Sequence, residues 1–179
     1  MHHRLLDEER GGPRYLRIPA VAQALIASIH KGVPMDYSLH AWVVMPNHVH
    51  LLLTPQIDPS AALRKLKGAS AREANKLLGL TGQPFWQDES YDRLVRGQEE
   101  FARIESYILQ NPVRARLAQS AEEYPWSSAS GFGGLKRDLR NKTADVLADG
   151  FVGPGSVHNA SESMQFWEGA KSAPRAGTP

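Results

Sequence analysis

The segment Met45-Pro46-Asn47-His48-Val49-His50-Leu51-Leu52-Leu53 carries the residues most suited to chemistry. Its second half reads as a buried β-strand, and side chains alternate faces along a strand. His48 and His50 therefore project together, and two neighbouring imidazoles can hold one metal ion. The plain structural reading is a pair of hydrogen-bonded core histidines. A second constellation lies on a helical pattern further along. Phe101, Ile104 and Ile108 form an apolar stripe at helical spacing, and Tyr107 and Asn111 are four residues apart on its edge. A tyrosine there is ordinary core material with a hydroxyl that can find a partner. A half-buried amide needs hydrogen bonds or a metal. The bland reading of Asn111 is that it ends the helix before Pro112.

These residues need elements to position them. The chain has 179 residues, 41% of them hydrophobic, which suits one ordinary domain. It has no cysteine, so disulfides, cysteine-ligated zinc and thiol nucleophiles are excluded. Net charge is +2 and the pI is about 9.0, which permits a nucleic-acid partner without demanding one. No apolar run approaches the roughly 20 residues of a membrane span, and Met1-His2-His3-Arg4 opens no signal peptide. A cytoplasmic protein is the default expectation.

Residues 1–13 read as a flexible leader. Pro19 opens a helix closed by Gly32, with Val21, Leu25, Ile26 and Ile29 on one stripe. Tyr37 to Met45 and His48 to Thr54 form a hairpin broken at Met45-Pro46-Asn47. Asp58 and Pro59 start a helix that stops at Gly79. A short strand is expected near Tyr91 to Val95, then a helix from Gln98 to Asn111 ended by Pro112. Tyr124 to Ser128 reads as an ordered extended segment, with Tyr124 and Trp126 pinning the chain end. Residues 130–179 are rich in Gly, Ser, Ala, Asn and Pro and read as a disordered tail, leaving 14–129 as the folded domain.

Together the two constellations resemble the HUH single-tyrosine transposases. Within them the chain looks like the REP-associated tyrosine transposases, relatives of the insertion-sequence-200 type. The matching text is LHAWVVMPNHVHLLLTP (39–55), LRKLKGASAREANKLLG (63–79), FWQDESYDRLVR (85–96), YILQNPVRARL (107–117) and EYPWSS (123–128). The resemblance implies an α+β fold, a ferredoxin-like antiparallel sheet with helices packed against it. It implies that His48, His50 and Asn111 bind a divalent metal and that Tyr107 is the nucleophile. The implied activity is transposition: a single-stranded DNA endonuclease and strand transferase working through a covalent 5′-phosphotyrosine on imperfect, REP-like hairpins. Imidazole and amide ligands alone suggest zinc or manganese. The resemblance implies Mg2+ or Mn2+, with DNA phosphate supplying oxygen.

Two departures stand out. The family's opening β-strand is not visible ahead of the first helix, so a first strand is missing from the expected sheet and an edge would be left open. Arg116 stands where glycine is frequent. Arg64, Lys65, Lys67 and Arg72 on one helix, with Arg93, Arg96 and Arg114, are the candidate DNA contacts. Such charges can equally be a solvated face. Trp86 and Tyr91 could stack on bases, although Trp86 reads at least as well as a core anchor. His30 and His40 read as structural or surface residues. One alternative is a catalytically impaired DNA-binding derivative of such a transposase. Another is a metal-dependent hydrolase with Tyr107 as plain core. Relatives include monomers and homodimers, and the sequence does not choose between them.

Overall fold

The computed structural model describes residues 13–130 and 165–171, with side chains described at 13–87 and 94–130. A short 3-10 turn, Tyr15–Arg17, leads into α1 (Pro19–Lys31). The order continues β1 (Tyr37–Val44), β2 (His48–Pro55), α2 (Pro59–Leu78), β3 (Trp86–Leu94), α3 (Gly97–Arg114) and β4 (Gln165–Lys171).

Local chemistry sets most of these bounds. Pro19 occupies the first turn of α1. Gly32 ends it because the Tyr37 ring packs there, and an added Cβ would lie 2.7 Å from that ring. The Tyr37 hydroxyl in turn donates to the Ile29 carbonyl at 2.6 Å. Burial raises the Tyr37 phenol well above its ordinary range, and Asp36 adds to the rise. At α2 the Asp58 carboxylate caps the Ala61 N–H at 2.8 Å. The same helix closes on Gly79 at φ +67°, where Leu80 N–H reaches the Asn75 carbonyl at 2.8 Å.

The four strands form one antiparallel sheet in the order β1-β2-β4-β3. Helices cover both faces. Val44, Val49, Leu51 and Leu53 pack with α1 and α2 through Leu25, Ile29, Leu63 and Leu66. Ala41, Val43, Met45 and Leu52 pack on the other face with Ile104 and Ile108 of α3. Trp86 belongs to the first of these cores, and its indole N–H donates to Ser70 Oγ at 3.0 Å. It is a core anchor and not a base-stacking platform.

The segment 124–128 lies along the outer edge of β1. Val44 N–H reaches the Trp126 carbonyl at 2.8 Å and Ser128 N–H reaches the Trp42 carbonyl at 2.9 Å. Tyr124 Oη donates to the Val44 carbonyl at 2.9 Å, and burial pushes that phenol up to about 12, with Arg17 opposing the rise. His30 packs edge-on against Trp42, and His40 sits between Phe101 and the Thr54 hydroxyl. Burial lowers both imidazoles from their ordinary range, which suits structural residues.

Three expectations need correction. Strand β3 begins at Trp86, five residues before the expected Tyr91. Helix α3 does not end before Pro112 but runs through it to Arg114. Proline forfeits one N–H there, while the carbonyls ahead are satisfied: Asn111 accepts from Ala115 N–H at 2.9 Å and Pro112 from Leu117 N–H at 2.8 Å. The true stop is Arg116, at φ +58°. Its N–H reaches the Val113 carbonyl at 3.0 Å, which completes a Schellman closure. Third, the reading of 130–179 as a disordered tail fails at 165–171, which form the interior strand β4. Backbone pairing with two neighbours supplies there what side-chain pattern does not. The expected leader, for residues 1–12, lies outside the described residues, as do 131–164 and 172–179.

The Arg116 conformation explains why glycine suits that position, since a Cβ in the left-handed region costs about 1–2 kcal/mol. Arg116→Gly is therefore expected to stabilise the chain by about 1 kcal/mol. A urea melt checks this, and an unchanged or lower midpoint would refute the account of the helix stop.

Candidate metal and nucleophile site

The hairpin turn delivers both histidines to the face covered by α3. Met45 N–H closes the turn by donating to the His48 carbonyl at 2.8 Å, and His50 pairs with Val43 across the ladder. With period-two alternation, His48, His50 and Leu52 share one face, and Leu52 is already seen packing toward α3. His50 is fully buried and His48 and Asn111 nearly so.

The Nε2 atoms of His48 and His50 are 3.1 Å apart. The Asn111 carboxamide nitrogen lies 3.0 Å from His50 Nε2. His48 Nδ1 lies 2.8 Å from Asn47 Oδ1. An amide oxygen accepts only, so that ring carries its proton on Nδ1 and presents the Nε2 lone pair to the cluster. This is the outer contact that typically orients a metal-binding imidazole. The sequence marks Asn47 only as a turn residue. Its position immediately before the first histidine was the available signal for this second role.

The donor set fits a divalent cation. Two imidazole nitrogens 3.1 Å apart, with a carboxamide beside them, are close enough to share one ion. The third group within reach is the Asn111 side chain, whose amide could present its oxygen to a cation after rotation about its last bond. Among the described residues no three His, Cys, Asp or Glu side chains gather as a metal group, so this donor set consists of two imidazoles and an amide.

Tyr107 stands beside this cluster, one helical turn before Asn111. Its ring meets His50 edge-on with centroids 5.5 Å apart. The Arg114 guanidinium lies over the same ring, 5.2 Å from its centroid. Tyr107 is half-buried and Arg114 exposed, so the pair forms the solvent side of the site.

The chain belongs to the IS200-like transposase family. The family model described as "Transposase IS200 like" matches residues 20–111, which include both histidines, Tyr107 and Asn111. A REP-associated tyrosine transposase of Escherichia coli (strain K12) is 26% identical over 95 residues, covering 51% of this chain and 54% of that protein. A putative REP-associated tyrosine transposase of Haemophilus influenzae (strain ATCC 51907 / DSM 11121 / KW20 / Rd) is 28% identical over 96 residues, covering 48% and 54%. The chain thus spans about half the length of the curated relatives it matches. A solved structure of a REP-associated tyrosine transposase bound to a REP hairpin aligns with a TM-score of 0.50 and 21% identity, covering 87% of this chain and 86% of that one. That likeness shows the α+β fold.

Within this family member the sequence-derived site residues divide. His48, His50, Asn111, Tyr107 and Arg114 are brought together. Arg64, Lys65, Lys67 and Arg72 are on α2, in the layer across the sheet. Lys65 pairs with Asp36 at 2.7 Å, and Lys67 Nζ donates to the Gln87 carbonyl at 2.9 Å. Arg96 is exposed at the start of α3, and the side chain of Arg93 lies outside the described residues, as does that of Tyr91. No helix among the described residues is long and apolar enough to cross a membrane.

Proposed function

We propose that this chain is a divalent-metal-dependent single-strand DNA endonuclease and strand transferase acting on hairpin, REP-like DNA. The observation that supports it best is the convergence of His48, His50 and Asn111 with a helical tyrosine one turn away. The relatives named for REP association, and the REP hairpin bound in the similar structure, support the substrate class.

When bound, a Mg2+ or Mn2+ ion at this donor set would withdraw charge from a scissile phosphate and orient it. His48, His50 and Asn111 would hold it, with Asn47 fixing the His48 tautomer. Tyr107 Oη then attacks phosphorus. A phosphotyrosine ester forms, the bond from phosphorus to the 3′ oxygen breaks, the phenol gives up its proton, and the leaving oxygen takes one to become a 3′-OH. The 5′ phosphate stays on Tyr107, so a second 3′-OH can reverse the step without ATP. Arg114, whose guanidinium lies over the Tyr107 ring, would contact the same phosphate from the solvent side. Arg64, Lys65, Lys67, Arg72, Arg93 and Arg96 would contribute backbone contacts farther along the strand.

The test is incubation with a labelled single-stranded oligonucleotide folding into an imperfect hairpin, with Mn2+. The expected result is a protein–DNA adduct on a denaturing gel, absent with chelator and with the fully paired duplex. Metal-dependent cleavage without any adduct would instead establish a hydrolase that activates water. A non-catalytic derivative would bind the hairpin and leave it whole. The open sheet edge that would favour that derivative is not found beside β2, which is paired on both sides.

A further inference from the structure

From α1 to β3 the chain reads α-β-β-α-β. Among the described residues this is the β-α-β-β-α-β ferredoxin-like unit with no strand ahead of α1. In that unit the opening strand lies inside the sheet and runs antiparallel to both neighbours. Here β4 lies inside the sheet, between β2 and β3, and runs antiparallel to both.

We infer that the C-terminal segment 165–171 is the working occupant of this interior slot, and that the histidine strand depends on it for its position. The inference rests on topology and not on the proposed reaction. The register is continuous over β2, from His48 opposite Ala170 to Leu53 opposite Gln165. It is matched on β3 from Ser90 opposite Gly169 to Leu94 opposite Gln165. Hydrogen-bond direction agrees. The His48 carbonyl accepts from Met45, on the β1 side. Trp42, opposite Leu51, uses its N–H and carbonyl on Ser128, away from β2. By alternation the N–H groups of Val49, Leu51 and Leu53 face β4, while those of His50 and Leu52 face β1. Val49, Leu51 and Leu53 are buried residues, so an empty slot would leave polar groups unpaired beside the core. Such a gap opens directly next to His48 and His50.

Two experiments on the full chain test this. Gly169→Pro removes the N–H facing Val49 from an interior strand, where proline is not accommodated. Native-state hydrogen exchange should show protection at Val49, Leu51 and Leu53 falling by about tenfold or more relative to His50 and Leu52. Ala176→Pro, beyond β4, should leave all five unchanged. Equal protection in the Gly169→Pro variant and the unaltered chain would overturn the inference. The second experiment does not depend on that variant folding. The chain lacks cysteine, so Leu53→Cys with Gln165→Cys places one pair of thiols at opposed register positions. Mild oxidation with oxidised glutathione should give an intramolecular disulfide in a monomeric species. A disulfide-linked dimer, which would mean strand exchange between copies, or no disulfide at all, would overturn it. Neither readout involves DNA, so failure here is separate from failure of the proposed function.

Discussion

Tyr107→Phe is expected to abolish covalent attachment to single-stranded hairpin DNA while leaving hairpin binding within a few-fold. Phenylalanine keeps the ring that meets His50 edge-on and lies beneath Arg114. Only the hydroxyl oxygen is lost, and with it the bond to phosphorus. Loss of a nucleophile typically costs at least ~10³ in rate. The checks are denaturing gel mobility with Mn2+ for the adduct and native gel titration for binding. An undiminished adduct would assign the nucleophile elsewhere. Lost binding with a normal melting temperature would mean that the hydroxyl serves recognition.

The second large effect is on His48→Ala combined with His50→Ala. Cleavage should fall by at least ~10³, because the variant keeps only the Asn111 side chain of the three donors. The fold should survive. Truncation opens space against α3 and strips Asn111 of its His50 contact, a cost of roughly 1–3 kcal/mol. The discriminating measurement is thermal melting with and without Mn2+. A ligand that binds only the folded state stabilises it by about 2.7 kcal/mol at a hundred times its dissociation constant. The unaltered chain should show such a shift and the variant none. Equal shifts in both, or a much lower melting temperature with cleavage intact, would return the histidines to an ordinary structural role.

Much of this arrangement was legible in the sequence, for identifiable reasons. The hairpin was readable because Pro46 and Asn47 interrupt two runs of β-forming residues, and period two then fixed the shared face of His48 and His50. The bounds of α2 were readable because Asp58 and Gly79 carry the capping chemistry themselves. That Tyr107 and Asn111 lie one turn apart on the same helix followed from helical spacing alone. Other features depend on contacts distant in sequence. Gln165–Lys171 contains glycine and two charged residues and lies in a polar, glycine-rich stretch, so its strand state comes from pairing with β2 and β3. The early start of β3 at Trp86, followed by Gln87, Asp88, Glu89 and Ser90, has no alternation to read. Pro112 is a strong local stop signal, whereas the helix end is set by the backbone conformation four residues further on, at Arg116. Asn47 looked like a turn residue because it is one, and its amide also serves His48.

The segment running beside β1 has a consequence for how copies of this protein meet. A sheet that ends in a bare strand offers a row of N–H and C=O groups to any passing chain, and such rows template aggregation. Here the Val44 N–H and the Trp42 carbonyl are taken by Trp126 and Ser128, and the Tyr124 hydroxyl claims the Val44 carbonyl. The hairpin that carries the histidines is thereby screened on its outer side against edge-to-edge association, so loss of the Tyr124–Ser128 contacts would expose a self-associating surface before it disturbed the histidines.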